Sequence, residues 1–418
     1  MTRRMRVLML TQSYAPIVGG IEHMVEAIGT ELAERGHEVA VATLRQPQSE
    51  PIGSEAVPAI GIGTSVHSLP GLRLEEERRH APPAPDPRTT WELRRLMRSF
   101  RPDLVHAHDW LIHSYLPLDR RSSPGLLLSM HDYGLTCATK RFMHMGRSLC
   151  SGPGPAKCVR CGNEVYDSVA KGTSSALGTR MSERRIRRHV DVFLPVSTAV
   201  RDLCRLGPDD VHRVIPNFVT GRSPHLGDEP DLSELPNEPF VLYFGDVSEE
   251  KGVHHLLAAY RELEAAPPLV LIGRRFPGQI EDTAGALALG RMPHRLVLEA
   301  LRRSLFTVAP SIWSDPFPLV ALEAAAAGKP AIASRIGGLQ DSVVDGETGI
   351  LVPPGDRRAL VQAMRRLIDD VELRDRMGAA AASRQAKLFT PDTVVPQYED
   401  AYELALERRR ARRPLRAG

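Results

Sequence analysis

Two hydrophobic periods take turns along this chain, one of strand type and one of helix type. Arg6–Leu10 is a short, largely apolar run of strand length. A polar loop, Gln12–Gly20, leads to apolar residues at Ile21, Met24, Val25, Ile28 and Leu32, the spacing of one helix face over Ile21–Arg35. Gly36 ends that helix, and Val39–Ala42 reads as the next strand. The pattern continues with a helix at Trp91–Phe100 and strands at Leu104–His106, Leu126–Ser129, Val192–Val196 and Val211–Ile215. It starts afresh with strand Phe240–Phe244, helix Val253–Leu263, strand Leu269–Ile272, helix Leu296–Arg303, and strands Phe306–Ala309 and Ala331–Ala333. A last long helix is expected over Val394–Arg410, after Pro391. Strands alternating with helices predict parallel sheets covered on both faces, one sheet in each half.

Two stretches break the pattern. Residues 73–90 run from the charged Glu75–His80 into Ala-Pro-Pro-Ala-Pro-Asp-Pro, which reads as a mobile surface loop. Thr220–Pro239 is rich in Pro, Gly and acids and reads as the linker. The expected organisation is therefore a first domain over 1–219, a linker over 220–239, a second domain over 240–390, and a helix with a basic tail over 391–418.

Hydrophobic content of 42% and charged content of 25% place the chain among soluble globular proteins. A net charge of +3 gives no global reason to expect nucleic acid. Locally, Arg184, Arg185, Arg187 and Arg188 form one basic cluster, and Arg408, Arg409, Arg410, Arg412, Arg413 and Arg416 form another. Each reads as a solvated face or frayed end, or as a surface that meets anionic lipid. No apolar run reaches about 18 residues, and the run after Arg6 stops at Leu10. The expectation is a cytoplasmic protein with peripheral contact to the inner face of a membrane.

The densest chemistry lies in 309–338. Asp315 and Glu323 flank a Pro-Phe-Pro turn and the start of an Ala-rich helix that Gly328 should end. The backbone N–H groups of the helix start, at Pro318-Leu319-Val320, suit an anion. Carboxylates beside such a site suit a ligand with both phosphates and hydroxyls, as a nucleotide sugar has. The alternative is a buried Ala-rich helix with a solvent cap. Gly19-Gly20 before the first helix would let a phosphate approach, or form an ordinary tight turn. Four thiols at Cys137, Cys150, Cys158 and Cys161 suit a structural tetrahedral zinc site, against four unrelated thiols. A Rossmann dehydrogenase is the first rival, but Thr11-Gln12-Ser13-Tyr14-Ala15 follows the first strand instead of a Gly-x-Gly-x-x-Gly turn.

Val7–Leu10 through Gly19-Gly20-Ile21-Glu22, Arg35–Val39, Arg101–His108, Pro195-Val196-Ser197, Val214–Asn217, Glu250–Val253 and the 309–338 segment occur in the order seen in the retaining glycosyltransferases of family 4. The chain resembles that family from about residue 5 to 405. The resemblance implies an α/β GT-B fold: two Rossmann-like domains with parallel sheets facing across a cleft. It also implies transfer of a sugar from a UDP- or GDP-sugar to a glycan, glycolipid or small-molecule acceptor, with no cofactor for catalysis. By the same resemblance, His131 lies beside the donor sugar, Lys251 offsets charge on the leaving diphosphate and Asp315 lies near the sugar hydroxyls. Glu323 holds the ribose, and Gly290-Arg291-Met292 frame the base. A subset of the family carries a similar cysteine-rich insertion. Asp246 departs from the pattern, since many relatives have Arg there. Either it turns away from the ligand, or Arg274 or Arg275 compensates. That departure leaves a non-catalytic relative as the second rival.

Overall fold

The structure is a computed structural model, and it describes residues 3–14, 19–45, 57–58, 64–71, 83–120, 123–220, 233–276 and 278–412. Most of the expected loop at 73–90 and of the linker at 220–239 lies outside these residues, as do Arg413 and Arg416. The chain divides into two compact units, residues 1–216 with 394–418, and residues 217–393. The sequence had placed these boundaries at 219 and 390.

Unit 1 runs β1 (Arg6–Thr11), α1 (Gly20–Glu34), β2 (Glu38–Leu44), β3 (Val57–Pro58), β4 (Thr64–Leu69), α2 (Pro87–Phe100), β5 (Leu104–Ala107), α3 (Ile112–Tyr115) and β6 (Gly125–Met130). It continues with β7 (Met143–His144), β8 (Ser148–Leu149), α4 (Pro155–Val165), α5 (Val169–His189), β9 (Val192–Pro195) and α6 (Thr198–Leu203). Its main sheet has the order β3-β4-β2-β1-β5-β6-β9, parallel except at β3. Val7, Leu8, Met9 and Leu10 are all fully buried. Both faces of this strand are covered, which is why it reads as an unbroken apolar run.

Unit 2 runs β10 (Phe240–Phe244), α7 (Val253–Tyr260), β11 (Leu269–Ile272), β12 (Leu287–Ala288), α8 (His294–Arg303), β13 (Ser304–Ala309) and α9 (Leu319–Ala326). It continues with β14 (Ala331–Ser334), α10 (Leu339–Ser342), β15 (Gly349–Val352), α11 (Arg357–Asp369) and α12 (Val371–Leu388). Its six-stranded sheet has the order β12-β11-β10-β13-β14-β15 and is parallel throughout. The last helix, α13 (Pro391–Ala411), belongs to unit 1 from Val394 onward.

Three expectations need correction, and one region carried none. Residues 87–90 are helix, because Asp86 caps α2 through Thr89 N at 2.8 Å and Pro87 occupies the first turn. Val211–Ile215 forms only an isolated bridge, His212 to Phe193. It follows β9 through bonds such as Arg213 N to Phe193 O, 3.0 Å, but Pro216 ends it before a ladder develops. Residues 155–189 fold into two helices that hydrophobic period did not reveal, since α5 buries small residues such as Gly172, Ser175 and Thr179. Arg409 is neither solvated nor frayed. It is buried and paired with Asp119 at 3.0 Å and Asp191 at 2.7 Å. Those carboxylates await it at the C-terminus of α13, where a cation also suits the helix dipole.

Candidate active site

In each unit the sheet order reverses beside the first strand, at β1/β5 in unit 1 and at β10/β13 in unit 2. A crevice opens there because successive connections leave on opposite faces. In unit 2, Lys251 follows β10 and Asp315 follows β13, so adjacent strands deliver both side chains to one place. Three glycines fix the approach. Gly252 caps α7 at φ +73, and a Cβ there would meet Pro310 O at 1.9 Å. Gly337, at φ +57, would strike Asp315 O at 2.2 Å if it carried a Cβ. Gly338 N donates to that same oxygen at 2.8 Å. Glu250 O accepts from Ile312 N at 3.1 Å, which ties the two loops together.

The result is an ion pair, Lys251 Nζ to Asp315 Oδ2, with the Lys251 ammonium 5.3 Å from the centre of the Trp313 ring. Burial by itself would lower the Lys251 pKa. Asp315 outweighs it, with Glu250 and Asp246 adding to the effect, so the ammonium is held more firmly than usual. Beside the pair, α9 begins at Pro318-Leu319-Val320 with no side-chain cap. Glu323, in the second turn of α9, accepts from His294 Nε2 at 3.0 Å. That hydrogen bond raises the His294 pKa against the effect of burial, with the Glu323 charge adding to it. Asn217 Nδ2 holds Phe317 O at 2.9 Å, which fixes the turn before the helix.

Of the expected base-framing residues, Gly290 O accepts from Gly273 N at 2.7 Å, and Met292 packs on the core behind β10 and β11. Arg291 follows directly. Arg274 and Arg275 part company. Arg274 Nη2 pairs with Asp246 Oδ2 at 3.1 Å and its guanidinium lies 4.4 Å from the centre of the Phe276 ring. Arg275 Nη2 turns to Ile280 O at 2.9 Å.

In unit 1, Gly19 caps α1 in extended backbone, and among the described residues nothing lies within 4 Å of a Cβ built on Gly20. His131, just past β6, meets His108 Nδ1 through its Nε2 at 3.1 Å, the rings stacked at 5.4 Å. His106 bridges Tyr402 OH, 2.9 Å, and Ser129 Oγ, 2.8 Å. Burial pushes the His131 pKa down to about 4 and His106 to about 3, so both rings are neutral near pH 7. Asp109 accepts from Gln12 N at 2.5 Å and from Leu111 N at 3.0 Å, yet burial raises it to about 6. Sequence reasoning missed His106, His108, Asp109, His294 and Trp313. His106-Ala107-His108-Asp109 at the end of an apolar strand was the available signal for the first three. His294 and Trp313 gave none.

The four clustered cysteines are free thiols on one apolar pocket of unit 1. Met145 N donates to Cys161 Sγ at 3.1 Å and Gly154 N to Cys158 Sγ at 3.4 Å. Burial pushes the Cys161 thiol up, with the other three thiols adding to it. The donor types are those of a zinc site. Among the described residues, no three His, Cys, Asp or Glu side chains are disposed as they stand to hold a metal.

Residues 19–217 match the glycosyl transferase 4-like domain, and residues 228–384 match the glycosyl transferases group 1 domain. This chain is a group 1 glycosyltransferase. The glycosyltransferase is 27% identical to the glycogen synthase of Mycobacterium tuberculosis, over 98% of its own chain and 97% of that relative. Its fold is that of sucrose-phosphate synthase from Thermosynechococcus elongatus, with a TM-score of 0.73 at 22% identity, covering 96% of this chain and 98% of that one. Anabaena Alr3699/HepE, solved with UDP-glucose, shares the fold with a TM-score of 0.64 at 17% identity, over 96% and 100% of the two chains. The paired parallel-sheet units are thus those of the GT-B class. Among the described residues, no helix is long and apolar enough to cross a membrane.

Proposed function

We propose that this glycosyltransferase moves a sugar from a nucleoside diphosphate, uridine or guanosine, to an acceptor hydroxyl with retention of anomeric configuration. The observation that carries the reading is the Lys251–Asp315 pair beside the uncapped start of α9, with Glu323 one turn further on. Anion sites and hydroxyl acceptors are interleaved there, which matches a sugar joined to a diphosphate and a ribose. HepE, which holds UDP-glucose, shares the fold, and this supports the donor class.

In this reading Lys251 and the α9 N–H groups take the diphosphate, Asp315 accepts from sugar hydroxyls, and Glu323, oriented by His294, accepts from the ribose. The acceptor oxygen forms a bond to the anomeric carbon on the face from which the diphosphate departs. The carbon–oxygen bond to the diphosphate breaks, and its electron pair leaves with the phosphate. The acceptor proton passes to that phosphate oxygen. Charge develops on the leaving group, so a pre-placed ammonium accelerates the step. His131, neutral near pH 7, donates or accepts a hydrogen bond without bringing a charge.

The test is a donor panel with the product anomer read by proton NMR. The product should keep the donor's configuration, and Lys251→Ala should slow turnover by roughly 100-fold or more. An inverted product would overturn retention. Binding of nucleotide sugar without any turnover would make the chain a binder instead of a transferase.

A further inference from the structure

Among the described residues, helix α5 has a face with no partner. Its inner side, Gly172, Ser175, Thr179 and Ile186, is buried. On the opposite side Ala170, Ser174, Leu177, Met181, Arg184 and Arg188 recur at helical spacing, and all six are exposed. Leu177 is 55% and Met181 75% exposed, and Val169, at the start of the helix, is 71% exposed. An isolated exposed leucine needs no explanation, but a Leu-Met pair one turn apart, with a third apolar residue on the same helix, does.

The charges flanking that seam are of one sign. Lys171, Arg180, Arg184, Arg185 and Arg188 are exposed, and none of these side chains has an acidic partner among the described residues. Glu183, the only acid on the helix, is folded back onto Arg187 at 2.9 Å. An ordinary solvated helix face mixes both signs. The cations crowd the C-terminal half and the apolar pair lies at mid-helix, on a rod about 30 Å long.

We infer that this face of α5 is a docking surface for an anionic lipid bilayer. Leu177 and Met181 would enter the boundary between headgroups and acyl chains, and the arginines would reach lipid phosphates with their stems lying along the surface. A protein interface of ordinary stability needs about 800 Å² from each side, more than a seam two side chains wide provides. A nucleic acid would use the cations but leave the apolar pair in water. This surface is independent of the donor site in unit 2, so its failure would leave the transferase reading untouched.

Full-length protein is sedimented with vesicles of phosphatidylcholine, with and without phosphatidylglycerol, at low and high salt. It should bind the phosphatidylglycerol vesicles, bind phosphatidylcholine poorly, and be released by salt. The double variant Arg184→Glu/Arg188→Glu should lose about ten-fold or more in partition. Leu177→Ser/Met181→Ser should also weaken binding. Arg184→Lys/Arg188→Lys should retain it, and all three variants should melt like the parent. The inference is overturned if the parent ignores phosphatidylglycerol. It is equally overturned if the variants bind like the parent, which would place the contact on another basic segment such as Arg413–Arg416. A concentration-dependent dimer abolished by Leu177→Ser/Met181→Ser, without lipid binding, would assign the face to a second copy of the chain.

Discussion

Asp246 shows how a single position is reread in its surroundings. On sequence alone it puts an acid where a diphosphate should be welcomed. In the fold, its carboxylate meets the Arg274 guanidinium at 3.1 Å, and that guanidinium also lies against Phe276. The pair is nearly neutral overall, so the acid's repulsion is largely cancelled before any ligand arrives. Arg275, the other candidate, is committed to Ile280 O. Arg274→Ala should therefore raise the donor KM several-fold, since an unopposed carboxylate at moderate distance repels phosphate by about 1 kcal/mol. Arg275→Ala should have a smaller effect. Asp246→Arg in the Arg274→Ala background should restore part of the loss. Steady-state kinetics against donor concentration decide this: equal effects of the two alanine variants would remove Arg274 from the donor site.

At the scale of elements, the elements that read most clearly in the sequence were those whose residues answer to local rules. Strand β10 and α7 were legible because an apolar run and a helix-period run are short-range signals. The cysteine-bearing segment was legible only as chemistry. Its β7–β8 hairpin and α4 depend on left-handed residues such as Lys140, Phe142 and Met145, which no propensity anticipates. The segment buries Leu135, Phe142 and Met143, and a metal bound by its thiols would add a further tie between its loops. Zinc near one equivalent per chain is the expected result for protein purified under reducing conditions. Cys158→Ser should lower both the zinc content and the protease resistance of residues 137–165. Fully stable, metal-free protein would leave the four thiols as packing residues.

For the whole molecule, acid sensitivity follows from where unit 1 buries its histidines. His106, His113 and His131 have pKa values lowered to about 3, about 4 and about 4, each chiefly by burial, against an ordinary 6.5. The unfolded chain takes up their protons near 6.5 while the folded one resists. Their contribution is complete above that pH and is lost as the pH falls toward 4. Asp109, raised to about 6 from an ordinary 3.8, acts in the opposite sense, and its cost fades as the pH falls through 6. Three histidines outweigh one aspartate, so the melting temperature should fall between about pH 7 and about pH 5. His106→Gln should shrink that fall, and a melting temperature that is flat or rising over this range would contradict the assignment. The sequence alone determined the α/β class, the two parallel sheets, the loops that carry Lys251 and Asp315 and the helix that carries Glu323, because strand and helix periods and turn glycines are local properties. Only the tertiary structure decided that Arg274 answers Asp246, that His294 orients Glu323, that Arg409 is a buried counter-ion and that, among the described residues, one face of α5 is left uncovered. Each of these joins residues far apart in the chain or depends on which side of a helix the rest of the fold covers, and no local pattern encodes either.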